Sequence, residues 1–332
     1  YGQRLYDVPK GKAGKEFTKE VATIFDDILD QKCNSEKLMV FFPGVLQRVP
    51  DVSASTDIKR RILSSITQWR EGKFKGLVET TRQTLKAAQC KSRGDTTPEH
   101  RARVFDSKVK RGQLSSAVSY IADKEGGGIF YPDEIDEKTG NSVQSVLLSK
   151  HPKMQDLGVE SLADFDVLPE FIDISITSET VETVAGKLSG GAGLSGFDSA
   201  SLSHIFCAFG DSSKRLRVAF AKFVEWLANG FPPWEAYRAL MACRELALGK
   251  ILVWIRPIGI GDGIRRAAAK YVLLVAGTSA TSECGANQLC AGLKAGVEGG
   301  VHAVSQAWVE TDADEKNGLL VIDAENTFNS MS

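Results

Sequence analysis

The chain has 332 residues, 42% of them hydrophobic and 25% charged, the balance of a folded globular protein rather than a disordered or fibrous one. A formal net charge of −1 excludes a uniformly basic nucleic-acid binder, and six cysteines in so long a chain exclude a dense disulfide framework. The longest apolar stretch, "AAAKYVLLVAG", is interrupted by Lys270 and is too short to span a bilayer. The basic, polar start "YGQRLYDVPKGKAGKEF" has no apolar segment of the kind a secretory leader needs. No membrane partner and an intracellular, reducing compartment are expected. A chain that opens on Tyr1 and closes in the middle of a motif reads as a piece of a longer polypeptide.

Helices are predicted through the first 125 residues. "KEFTKEVATIFDDIL" places Phe17, Val21, Ile24, Phe25, Ile28 and Leu29 on one apolar stripe with charges opposite. "TDIKRRILSSITQW" repeats the pattern with Ile58, Ile62, Leu63, Ile66 and Trp69. "TTPEHRARVF" starts a further helix, with Thr97 as N-cap, Pro98 in the first helical position and Glu99 in the first turn. "GGGIFYPDEIDEKTG" reads as a loop or domain boundary. A short helix leads into "LSKHP", and an irregular segment follows. "TSETVETVAGKL" starts another helix with Ser178 as N-cap. After a Gly-rich turn come helices from Ser199 to about Leu248, a strand in "KILVWIRPI", a helix through Lys270, a loop, a helix near "EGGVHAVSQAW" and a final strand. This divides the chain into a partly basic helical region (1–125), an irregular linker (126–175) and an α+β region (176–332).

Charge is not spread evenly. From Ile58 to Arg111 there are 15 Lys and Arg against 5 Asp and Glu, so this stretch carries +10 and the remainder −11. Such a block can follow a phosphate backbone, or it can be a set of solvated helix faces.

"GAGLSG", Gly191 to Gly196, satisfies the dinucleotide glycine pattern, but a helix precedes it and no acid follows about 20 residues on, so the Rossmann reading fails on context. A hinge that lets the backbone approach something closely is expected instead. Cys284, Cys290 and His302 match no zinc spacing and lack a fourth ligand. His100, His151 and His204 have no Ser or Cys beside them in a nucleophile setting.

Two stretches remain. "KILVWIRPIGIGDGIRRAAAK" surrounds a Pro-Ile-Gly turn with Lys250, Arg256, Arg265, Arg266 and Lys270. This is either a surface charge cluster or a holder for a triphosphate, since Arg presents a planar fork to phosphate oxygens and Lys a point charge. "LVIDAENTFNSMS" delivers Asp323 to the end of an apolar strand, as a turn former or as a ligand for a hard cation.

In this order the elements resemble the fingers and early palm of reverse transcriptases from non-LTR (LINE-like) retrotransposons, from about Lys187 to Ser332. The Gly/Ser-rich turn and helix are "SGGAGLSGFDSASL", the arginine block is "RPIGIGDGIRRAAAK", the Gln-containing segment and helix are "GANQLCAGLKAGVEGGVHAVSQAW", and motif A is "LVIDAENTF". The resemblance implies an α+β, predominantly helical chain: a helical N-terminal region followed by an incomplete right-hand polymerase fingers and palm. It implies that Asp323 is the first metal-binding carboxylate, with the Ala324 carbonyl as a second ligand for Mg²⁺. Phe328 would be the steric gate against a 2′-hydroxyl. Arg256, with Lys250, Lys270 and Arg265, would hold the incoming dNTP, and Gln288 and Gly196 would lie near the template. An RNA template and a DNA primer are the implied partners, and the implied chemistry is in-line attack of the primer 3′-hydroxyl between two metal ions. Cytoplasm and nucleus are the locations the family implies.

The sequence departs from the family at Thr327, where Ala is common, and at the apolar "ILVW" before "IRPI". It holds neither the later apolar-aromatic-x-Asp-Asp hairpin nor a thumb, so it is expected to be inactive alone and still able to bind nucleic acid. The alternative left open is a decayed or co-opted helical nucleic-acid-binding module without catalysis.

Overall fold

The computed structural model describes residues 5–50, 52–92, 98–110, 129–151, 173–250, 254–285, 294–310 and 318–322, with residues 114, 117, 118, 120, 288 and 289 between them. The described elements are mostly helical. In chain order they are α1 (Lys12–Leu29), α2 (Glu36–Leu46), α3 (Ser55–Arg70), α4 (Phe74–Ser92), α5 (Pro98–Lys110), β1 (Ile129–Phe130), α6 (Val143–Ser149), α7 (Ser178–Ala185), α8 (Ser199–Cys207), α9 (Asp211–Asn229), α10 (Trp234–Met241), β2 (Cys243–Lys250), β3 (Trp254–Gly261), α11 (Gly263–Glu283) and α12 (Gly296–Glu310). The α+β class is therefore met by a helical body with one small sheet.

The stripe expected on α1 is the centre of the core. Phe17, Ile24, Phe25 and Ile28 are fully buried, and α1 lies along α9 and α3. Phe17 stacks on Phe41 of α2 at 5.2 Å between ring centroids, while Phe25 meets Phe220 and Phe223 of α9 at 5.4 and 4.9 Å. Aromatic pairs at these separations add to what area burial alone supplies. The same cluster takes in Ile62, Ile66 and Trp69 of α3, and Ile264, Ala267 and Tyr271 of α11. The core thus draws on both sides of the 126–175 segment.

Helix ends are set by local chemistry. Past α1, Gln31 adopts φ 58° while its N–H bonds the Ile28 carbonyl at 3.0 Å and that of Lys32 bonds Asp27 at 2.8 Å. This is the paired closure that usually places Gly in the left-handed position. Gly72 occupies that position after α3, with φ 73°. Thr177, not Ser178, caps α7: its hydroxyl accepts from the Thr180 N–H. Ser178 instead donates to Glu179 at 2.7 Å. Thr97, the expected cap of α5, lies outside the described residues.

Three strands form one antiparallel sheet in the order β1-β2-β3. Two expectations change here. Helix does not continue to Leu248: β2 starts at Cys243 and pairs along its length with β3, from Cys243↔Gly261 to Lys250↔Trp254. Within "KILVWIRPI", Lys250 ends β2 and Trp254 starts β3 opposite it, so its described residues belong to two paired strands rather than one. The expected loop "GGGIFYPDEIDEKTG" contributes β1, with Ile129 opposite Leu248 and Phe130 opposite Ala247. The reason is tertiary. One face of the hairpin presents Ala247 and Ile255, which α6 covers with Val143 and Val146 in a second small core. Lys150 then donates to the Ile255 carbonyl at 2.7 Å, and His151 meets Glu245 at 2.5 Å. Residues 318–322, expected as the final strand, join no sheet among the described residues, and Leu320, Val321 and Ile322 are about four-fifths exposed.

Candidate nucleotide and nucleic-acid site

The Gly-rich turn and the arginine block, separate in sequence, meet at the start of α11. Asp262 is fully buried. One of its carboxylate oxygens accepts from the Ile264 N–H at 3.0 Å, capping α11. The other accepts from the Ser195 N–H at 3.2 Å. A cap that satisfies an orphan helix donor thereby also holds the turn. The close approach needs Gly193, because a Cβ there would lie 2.5 Å from the Asp262 Cα and 2.7 Å from its nitrogen. The glycine hinge expected from the sequence thus has its neighbour, the backbone at the β3–α11 junction. Gly196, at φ 74°, returns the chain through a 3.3 Å bond to the Gly193 carbonyl. Phe197 then enters the core and stacks on Phe42 at 4.5 Å and 6°.

The cations of the arginine block divide into two groups. Arg265 donates to the Met241 carbonyl at 3.0 Å, at the end of α10. Arg266 donates to the Gly191 carbonyl and to the Ser199 hydroxyl at 3.3 Å. Lys270 donates to the Lys187 carbonyl at 2.6 Å, just past α7. Arg265 and Lys270 thus hold carbonyls at or just past helix C-termini, where positive charge is favourable, and Arg266 holds one in the Gly-rich turn. Tyr271 deepens the same attachment: it donates to the Val181 carbonyl at 2.8 Å, and burial pushes its phenol well above the usual tyrosine range. Arg256 is different. It is exposed, stands opposite Leu248 on β3, and makes no hydrogen bond or ion pair among the described residues.

Strand alternation puts Arg256 on the face of the sheet opposite α6. Ile258 and Ile260 of β3 share that face, as do Arg244, Leu246 and Leu248 of β2. The Lys250 position pairs with Trp254, two steps from the Leu248–Arg256 pair, and so falls on the same side. The ε-nitrogen of Arg244 is buried and has no partner among the described residues. No acidic position lies on this face of β2 or β3; Glu245 is on the other, with His151. A basic and apolar sheet surface of this kind suits phosphate oxygens and flat bases together. Arg244 was missed because "CRELALGK" was read as helix. Asp262 was legible as an acid directly before a helical run, a cap signal that went unused.

Gln288 is exposed beyond α11, with its N–H on the Gly285 carbonyl at 3.3 Å, and nothing described brings it to Arg256. Asp323, Ala324 and Phe328 lie outside the described residues. Among the described residues no group of three or more His, Cys, Asp or Glu is placed to hold a metal ion. No helix among them is long and apolar enough to cross a membrane. No protein-family model, curated protein or solved structure matches the chain.

Proposed function

We propose that the chain carries the fingers and first palm segment of an RNA-directed DNA polymerase of the non-LTR retrotransposon kind, and that by itself it binds nucleic acid without extending a primer. The observation that supports this most is the junction at Asp262. The two blocks that carry the resemblance, "SGGAGLSG" and "RPIGIGDGIRRAAAK", share one buried carboxylate, beside a hairpin that presents Arg256 on a basic face. In this reading Arg256 meets the triphosphate or the template backbone, and Arg265, Arg266 and Lys270 set the frame that positions it. Asp323, with Mg²⁺, would supply the metal-assisted chemistry in a protein that also has the second carboxylate pair.

Binding is tested by fluorescence anisotropy with a labelled RNA–DNA primer-template in rising salt. Phosphate contacts release counterions, so affinity is expected to fall linearly on a log–log plot. Arg256→Ala is expected to weaken it by about fivefold to tenfold and to lower the slope by about 1. Binding that is insensitive to salt, or to Arg256→Ala, would remove this face from the reading.

A further inference from the structure

The basic block contains a feature that the polymerase reading does not use. Between α2, α3 and α4 lies a cleft of about 400 Å³, lined by Asp57, Arg60, Arg61, Ser64, Ser65 and Gln68 of α3, by Thr80 and Thr81 of α4, and by Gly44 of α2. The seam of a helical hairpin normally closes on apolar side chains. At one end it does, where Trp69 meets Phe74 edge-on at 4.6 Å, but the cleft itself has one large apolar lining side chain among the described residues, Leu77, which stands 3.8 Å from where a Gly44 Cβ would be. The rest of the cleft lining is mainly hydroxyl, amide and guanidinium.

Its donors are only partly engaged by the protein's own acceptors among the described residues. Arg61 is half-buried and makes no hydrogen bond or ion pair among the described residues. Arg60 meets only Asp57, at 3.3 Å, in a pair exposed on both sides and therefore weak. Ser64 accepts from the Gln68 amide at 3.3 Å, which leaves its own O–H free to donate and one amide N–H of Gln68 spare. Thr80 and Thr81 already donate to the Gly76 and Leu77 carbonyls at 2.9 and 2.8 Å, so they shape the wall rather than supply protons. Two guanidiniums, a hydroxyl and an amide thus converge on one open cleft, against a single carboxylate, Asp57. That donor set fits an oxyanion with several acceptor oxygens, above all a phosphate group. Lys59, Lys75 and Arg82 on the same two helices are exposed and extend the positive charge beyond the cleft.

We propose that this cleft seats a backbone phosphate of a nucleic-acid strand, which the flanking cations then guide along α3 and α4. The proposal rests on the nucleic-acid reading above but on a different surface, so the two can fail separately. A cleft open to solvent, with further exposed cations on the same two helices, suits one phosphate within a chain better than a free ligand, which would leave the neighbouring cations unused.

The test is anisotropy of a fluorescein-labelled 15-nucleotide single-stranded RNA on the full chain, with four proteins: unmodified, Arg60→Ala/Arg61→Ala, Arg61→Lys, and Lys32→Ala as a distant control. The double variant is expected to bind about tenfold more weakly, with the salt slope lowered by about 1 to 2. Arg61→Lys keeps the charge but loses the fork, and should fall between the two. Thermal midpoints of all four establish that they are folded. If the unmodified chain binds and the double variant binds equally well, the cleft is not the seat and only this inference fails. If the unmodified chain does not bind at all, both readings fail. Competition separates the sources of phosphate. Displacement of the RNA by inorganic phosphate or ATP at sub-millimolar concentration would show a small-ligand site and overturn the backbone proposal, whereas persistence of the complex supports it.

Discussion

At the scale of single residues, Tyr271 shows how a side chain read only as part of an apolar helix stretch acquires a second task. Its ring is fully buried against Phe220 at 5.7 Å, and its hydroxyl closes the Val181 carbonyl. Because burial raises its pKa, the unfolded chain loses this proton at a lower pH than the folded one. Above about pH 10 the folded state therefore holds more protons, and stability falls as pH rises further. The expected result is a steeper loss of urea stability between about pH 10 and 12 in the natural chain than in Tyr271→Phe. At pH 7 that variant should lose about 1 kcal/mol, from the unpaired Val181 carbonyl. Parallel pH profiles for the two proteins would mean that Tyr271 ionises as freely folded as unfolded.

At the scale of elements, the junction of the Gly-rich turn with α11 concentrates the most consequence in one side chain. Asp262→Ala removes a helix cap, about 0.5–2 kcal/mol, and leaves the buried Ser195 N–H without its acceptor, about 1–3 kcal/mol. A combined loss of about 2–4 kcal/mol is expected in urea unfolding. Asp262→Asn keeps one acceptor oxygen but turns the other into a donor facing a backbone N–H, so it should recover only part of the loss, and an unmoved midpoint in Asp262→Ala would show that the turn is held some other way. The element types were largely readable. The apolar stripes of α1 and α3 announced their helices because 3.6-residue periodicity is a local property. The β2 strand was not readable from "CRELALGK", whose Leu, Ala and Glu favour helix on their own; pairing with β3 and cover from α6 override that preference. The site was legible in its residue types but not in their division of labour. Nothing local separates Arg256, which makes no hydrogen bond or ion pair among the described residues, from Arg265, Arg266 and Lys270, which close carbonyls far away in sequence.

At the scale of the whole molecule, apolar surface is unevenly placed. The helices of the core bury their stripes, but α12 buries no residue. Val297, Val301, Val304 and Trp308 follow one another at helical spacing along it, all exposed. Leu273 and Leu274 of α11 are also well exposed. Continuous apolar surface of this sort drives association. Sedimentation at increasing concentration is expected to show self-association of the natural chain, and Val301→Lys/Trp308→Lys is expected to shift it toward monomer without lowering its unfolding midpoint. A monomer at every concentration in both proteins would show that the α12 stripe is not sticky in water.

The meeting of Gly193 with the β3–α11 junction carries a consequence for inheritance. What crowds that position is main chain, the Cα and nitrogen of residue 262, and main chain is common to all twenty amino acids. A side chain introduced at 193 therefore cannot be accommodated by any exchange at 262, in contrast to a clash between two side chains, where one partner can shrink as the other grows. In a lineage under selection the two positions would not drift in concert. The glycine would be kept on its own account, and a suppressor screen started from Gly193→Ala would return changes at codon 193 or rearrangements of the turn, with codon 262 untouched.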